Sequence, residues 1–368
     1  MERPTEEDLA PVSCIHQTYC TDCPAGSSLL GQDDHEHSGQ EAGYGPRASS
    51  LRGEDLRRWY EQVGPELYYQ LPQDVPAEAR ERFDPAKAPR RLVFVPSEAG
   101  SDVLALISYR RAATDGGQVS NFAHVLVNRP SERRTWWSNL ACLELWGAPR
   151  WVTEESNEIP AALEPLSDLN EMLGGRQPLV SRELVLKFLT APVGDDWGAA
   201  SAIVPRRWQR MPPERRCELF TLALGGFLAA GGRLLLVVEP SLAALWFYGM
   251  LRLVPNIPLF AGMGFSTFEP RVYSKRIALA ATCFADPAKT DVPKKLYSAG
   301  LFTMNTFRRR CSRAFVGEGF YGPFVVDRLL RYGWDAVERF LVRLQVGGAE
   351  TVEDLEAMST RLGSTPSV

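Results

Sequence analysis

The chain has 368 residues, 45% hydrophobic and 23% charged, with a net charge of −4 at neutral pH. Those are the proportions of a globular protein long enough to bury large cores without cross-links, and the length suggests about two domains. The slight negative charge excludes a protein that attracts nucleic acid through its overall field.

The opening residues Met1-Glu2-Arg3-Pro4 and onward are acidic and carry no apolar core, so no secretion signal is expected. Seven scattered cysteines then read as reduced thiols of a cytoplasmic protein. Residues 1–11 read as a disordered tail. Cys14–Cys20 reads as a strand, with Ile15, Gln17 and Tyr19 on one face and His16 and Thr18 on the other. Ala25–Gly45 lacks any hydrophobic period and reads as a long loop. A helix follows, with Ser50 as its cap and Leu51, Leu56, Trp59, Tyr60 and Val63 as its apolar face. Pro72–Pro89 reads as irregular. Arg91–Val95 reads as a strand, and Val103–Arg111 with Val119–Val127 reads as a hairpin turning at Gly116-Gly117.

Trp136–Leu145 and Val180–Leu189 carry helical spacing, and a loose junction lies between about 128 and 175. The next stretch alternates helix and strand. Leu219–Ala230 is a helix stopped by Gly231-Gly232, and Arg233–Val238 is a strand. Leu242–Leu253 is a helix opened by Pro240, and Gly264–Phe268 and Arg276–Cys283 are strands. Such alternation makes a layered α/β core. The apolar run Leu219–Val238 is broken by paired glycines and Arg233, which suits helix–turn–strand and not a membrane span. Leu301–Phe315, Pro323–Val346 and Thr351–Leu362 read as helices, the last with a capping box of Thr351 and Asp354. The expected fold is mixed: a β-rich α+β module over 12–135, a layered α/β module over 136–285, and a helical region over 286–368.

Four groups of residues could carry chemistry. Cys14, His16, Cys20, Cys23, His35 and His37 include one Cys-x-x-Cys, but the His-x-His spacing is short for a structural zinc finger, so no metal and no cofactor is expected. His16 and His124 both fall in strands. They are read either as half-buried histidines satisfied by the backbone or as the acid–base pair of a hydrolase or transferase, with Arg110 as electrophilic helper. Phosphate-loop, nucleophile-elbow and zinc-protease motifs are absent. Two basic runs, Arg206-Arg207-Trp208-x-Arg210 through Arg215-Arg216 and Arg308–Arg310 with Arg313, suit phosphates or an acidic protein partner. Nucleic acid is the less expected of those two.

Several segments, in order, resemble the bacterial GTPase-associated proteins of multi-gene conflict (defence) systems. They are His16-Gln17-Thr18-Tyr19 with Cys23, and then Gly43-Tyr44-Gly45 with Arg47-Ala48-Ser49. Tyr109-Arg110 leading to Asn121-Phe122-Ala123-His124-Val125-Leu126-Val127 is similar to a later block of the N-terminal module. Phe265-Ser266-Thr267-Phe268 is similar to the signature strand of the middle module. The insertion between Cys23 and Gly43 departs from the pattern. The resemblance implies a non-catalytic adaptor or sensor working beside a GTPase. His16, Gln17, Tyr19, Arg110, Asn121 and His124 are the candidate binding residues. The long loops at 24–45 and 72–89 are expected to carry recognition.

Overall fold

The computed structural model describes residues 15–23, 43–67, 71–72, 74–76, 79, 83–84, 87–96, 102–111, 119–128, 137–153, 163–269, 277–284, 301–312 and 319–364. The elements in chain order begin with β1 (Ile15–Cys23), β2 (Gly43–Ser49), α1 (Gly53–Val63), β3 (Arg91–Val95), β4 (Val103–Arg111) and β5 (Val119–Asn128). Next come α2 (Asn139–Glu144), α3 (Arg182–Thr190), α4 (Arg206–Gln209), α5 (Pro213–Ala229), β6 (Leu234–Val237), α6 (Pro240–Arg252) and α7 (Pro258–Ala261). The series ends with β7 (Gly264–Ser266), β8 (Ile277–Thr282), β9 (Phe302–Asn305), β10 (Arg310–Cys311), α8 (Tyr321–Val346) and α9 (Val352–Ser364).

Among the described residues the strands form one ten-stranded sheet in the order β10-β9-β6-β8-β7-β3-β4-β5-β1-β2. Its first-half strands pair antiparallel. Strands β9, β6, β8 and β7 run parallel, with α6 and α7 between β6 and β7 in the chain. The two blocks meet where β3 pairs antiparallel with β7, Val93 opposite Ser266 and Phe94 opposite Phe265. The fold is therefore mixed α and β, in the classes that the sequence pattern predicts.

Alternation along the strands sends side chains into two cores. One face sends Leu92, Phe94, Leu104, Leu106 and Leu126 toward the helices. The other sends Val93, Val95, Val103, Ala105, Val125 and Val127 against Leu56, Trp59 and Val63 of α1. Every residue of α6 from Leu242 to Leu251 is buried, which is why its sequence is apolar all round. Around it, Trp208 and Trp246 stack edge-to-face with centroids 5.6 Å apart, and Phe220 lies 5.4 Å from Trp246. Such ring pairs add about 0.5–1.5 kcal/mol each beyond their area.

Several expectations need correction. Leu301–Phe315 is not a helix: Phe302–Asn305 is a fully buried strand parallel to β6, and Arg310–Cys311 folds back on it as the sheet edge. A short apolar run buried on both sides has no period to tell strand from helix. Gly43–Ser49, placed partly in a loop, is a strand that covers β1. Ser50 does not cap α1; the cap position is Arg52 without a side-chain bond, and Ser50 serves β1 instead. The helix expected over 323–346 is broken at Gly333, whose φ of 72° leaves the helical region. The capping box does form, with Asp354 N donating to Thr351 Oγ1 at 3.1 Å and Thr351 N to Asp354 Oδ2 at 3.0 Å.

Candidate functional site

The residues singled out in β1 and β5 sort onto two faces. Register places Tyr19 opposite His124 and Gln17 opposite Leu126, so Gln17, Tyr19 and His124 share one face. His16 pairs with Val127 and points to the other face, where its Nδ1 lies 3.2 Å from Ser50 Oγ. The two imidazoles thus sit on opposite sides of the sheet, and the paired acid–base reading fails on geometry. Asn121 is buried on the His16 side, opposite Tyr109. Arg110 is placed by backbone register only, opposite Ser120.

The Gln17 amide and both His124 nitrogens are engaged. Val152 N donates to His124 Nδ1 at 3.2 Å, so the ring proton belongs on Nε2, which lies 3.0 Å from Gln17 Oε1. Gln17 Nε2 passes the chain on to the Glu164 carbonyl at 2.6 Å. Tyr19 and Trp151 meet the imidazole edge-on, at 4.8 and 5.1 Å between centroids. Burial pushes the His124 pKa down to about 3, so the ring is neutral at physiological pH. Burial also raises the Tyr19 phenol. A neutral base with both nitrogens committed takes no proton at neutral pH. What the group does is fasten the backbone at Val152 and Glu164 to the β1–β5 pair. Ile15 and Leu166 complete this by exchanging backbone bonds of 2.7 and 2.8 Å beyond the end of the β1–β2 ladder. Sequence reasoning missed Val152, Glu164 and Leu166 because they contribute backbone groups, which leave no residue-type signal.

A second group joins the two blocks of the sheet. Arg91 opens β3 and is buried. Its guanidinium forms an ion pair with Glu269, donates from Nε to Ser266 Oγ at 3.0 Å, and donates to the Glu66 carbonyl. Thr267 holds the same junction: its N donates to the Leu92 carbonyl and its Oγ1 accepts from Leu92 N, both at 2.9 Å. The Phe265-Ser266-Thr267-Phe268 segment thus welds β7 to β3.

A third group lies at the carboxyl ends of the parallel strands, where open α/β sheets bind ligands. There Arg207 grips Glu239 with two bonds of 2.9 Å and donates to the carbonyl and hydroxyl of Thr306, each at 3.2 Å. Trp208 Nε1 donates to the second Glu239 oxygen at 3.0 Å. Of the first basic run, Arg215 pairs with Glu218. Arg216 is buried, donates to the Ala191 carbonyl and lies 5.4 Å from the Trp197 ring. Arg206 and Arg210 are exposed.

Among the described residues no group of three or more His, Cys, Asp and Glu could hold a metal ion. Cys14, His35 and His37 lie outside the described residues, as do the tail 1–11, the loop 24–42, the turn Gly116-Gly117 and Arg313. Among the described residues no helix is long and apolar enough to cross a membrane.

No curated protein matches the chain. Residues 14–169 match the family model of the GTPase-associated protein 1 N-terminal domain, type 2. The match begins beside Ile15 and ends just past Leu166, the two residues that tie the module end to end. Over that stretch the chain is similar to an N-terminal domain of GTPase-associated proteins.

Proposed function

We propose that the chain is a non-catalytic adaptor or sensor that works beside a GTPase in a bacterial conflict (defence) system, in the cytoplasm, through protein–protein contact. The observation that carries this reading is the match of residues 14–169 to a GTPase-associated domain. The internal commitment of Gln17 and His124 supports it, because the most suggestive side chains of that domain hold the fold together. Under this reading the middle and helical regions extend the same rigid sheet, and other components of the system join the GTPase as partners.

The test is affinity capture of the tagged chain co-expressed with the products of the neighbouring genes. Recovery of a GTPase in stoichiometric amount, reproduced with purified components and nucleotide, is the expected result. Purified components that fail to associate at micromolar concentration, with either GDP or a GTP analogue present, overturn the proposal.

A further inference from the structure

Arg207 draws together two basic runs that lie 99 positions apart in the chain. On one side stands α4, where Arg206 and Arg210 are one helical turn apart, Arg210 N donating to the Arg206 carbonyl at 3.1 Å. On the other stands the turn between β9 and β10. Arg207 bonds Thr306 there and lies 4.1 Å from the Phe307 ring. Asn305 Oδ1 locks that turn by accepting from Phe307 N and Arg308 N, both at 3.0 Å. Arg309 follows with a φ of 53°, the one positive value outside glycine among the described residues. The turn carries Arg309 and Arg310 outward at the edge strand of the sheet.

Arg206, Arg210, Arg309 and Arg310 are all exposed, and among the described residues none of them pairs with a carboxylate. Arg207, by contrast, pairs with Glu239. The four cations lie on the two elements that Arg207 ties together, α4 and the turn after β9. Planar guanidinium forks match carboxylates and phosphates with two parallel bonds, and the Arg207–Glu239 pair shows that grip at the centre of the patch.

Two features favour carboxylates. The chain as a whole is at −4, a field that opposes a long polyanion, whereas a short acidic segment feels charges only within a Debye length of about 8 Å. Phe307 is covered by Arg207 and is not offered for base stacking. The geometry points to the Arg206, Arg210, Arg309 and Arg310 patch as a docking surface for an acidic segment of a partner protein. The assignment rests on the reading of the chain as an interaction protein.

The test is fluorescence anisotropy of a fluorescein-labelled glutamate-rich peptide titrated with the full chain. The wild type is expected to bind, more weakly as salt rises. Replacing all four arginines by Gln is expected to lower affinity at least about tenfold. The pair Arg206→Gln and Arg210→Gln, confined to one exposed helical turn, is expected to lower it about threefold and serves if the fourfold variant misfolds. Absence of binding by the wild type, equal affinity in wild type and variants, or tighter binding of a single-stranded DNA of equal charge overturns the inference. Capture of the GTPase separates the two claims. A variant that loses the peptide but keeps the GTPase leaves the surface as a site for another acidic partner. A chain that binds the peptide but no GTPase sinks only the adaptor reading.

Discussion

His16 and His124 stand on opposite faces of one β-sheet, His16 beside Ser50 and His124 between Gln17 and the Val152 backbone. The second of these is the structural keystone of the N-terminal domain. Replacing His124 by Ala leaves the Gln17 amide and the Val152 N–H without their partner. Stranding buried polar groups costs about 1–3 kcal/mol each. Urea unfolding of His124→Ala is expected to show a loss in that range, with Gln17→Ala less than additive to it. A change below about 0.5 kcal/mol contradicts the clamp.

The same residue makes stability depend on pH. Its folded pKa is about 3, against 6.5 for an ordinary histidine. The unfolded chain therefore takes up a proton at a pH where the folded chain does not. Stability from this group is complete above 6.5 and falls as pH drops from there toward 3, by at most about 1.4 kcal/mol per pH unit. His124→Gln, which keeps hydrogen-bonding capacity without titrating, is expected to flatten the stability profile between pH 6.5 and about 4. An unchanged profile contradicts the assignment.

The Arg91–Glu269 pair is buried at the seam between the antiparallel and parallel blocks. Removing one partner of such a pair leaves an uncompensated charge and costs about 3–5 kcal/mol. Glu269→Gln and Arg91→Met are each expected to fall in that range by chemical denaturation. The double replacement with apolar residues is expected to recover most of the loss. Additive losses argue against a direct pairing.

Adjacent glycines in α5 are expected to respond with opposite sign. A Cβ on Gly226 collides with the Phe302 ring of β9, whereas one on Gly225 meets nothing within 4 Å. Gly226→Ala is expected to destabilise by about 1–3 kcal/mol through overpacking. Gly225→Ala is expected to be stabilising by up to about 1 kcal/mol, as Ala is a better helix former. Thermal unfolding of the two variants separates them, and equal shifts contradict the α5–β9 packing.

Much of this fold is written locally. The alternation of Ile15, Gln17 and Tyr19 against His16 and Thr18 gives the two faces of β1, and Ser181 caps α3 where the apolar period starts. What escapes a linear reading depends on distance. Arg91 and Glu269 are 178 positions apart, and nothing in either neighbourhood names the other. The β9 strand hides because a doubly buried run shows no alternation. The clamp was half legible. Gln17, Tyr19 and His124 stand out as side chains, but the Val152 and Glu164 groups they hold are backbone. Arg207 joining the two basic runs likewise needs the third dimension, because the turn after β9 is remote in sequence from α4.

The central proposal is that this chain acts by docking to a GTPase. Isothermal titration of the purified chain with the GTPase product of any neighbouring gene, loaded in turn with GDP and a GTP analogue, tests this most directly. The account predicts saturable one-to-one binding with a Kd at or below about 1 μM in at least one nucleotide state. No heat of binding and no co-elution in either state at ten times about that concentration contradicts it.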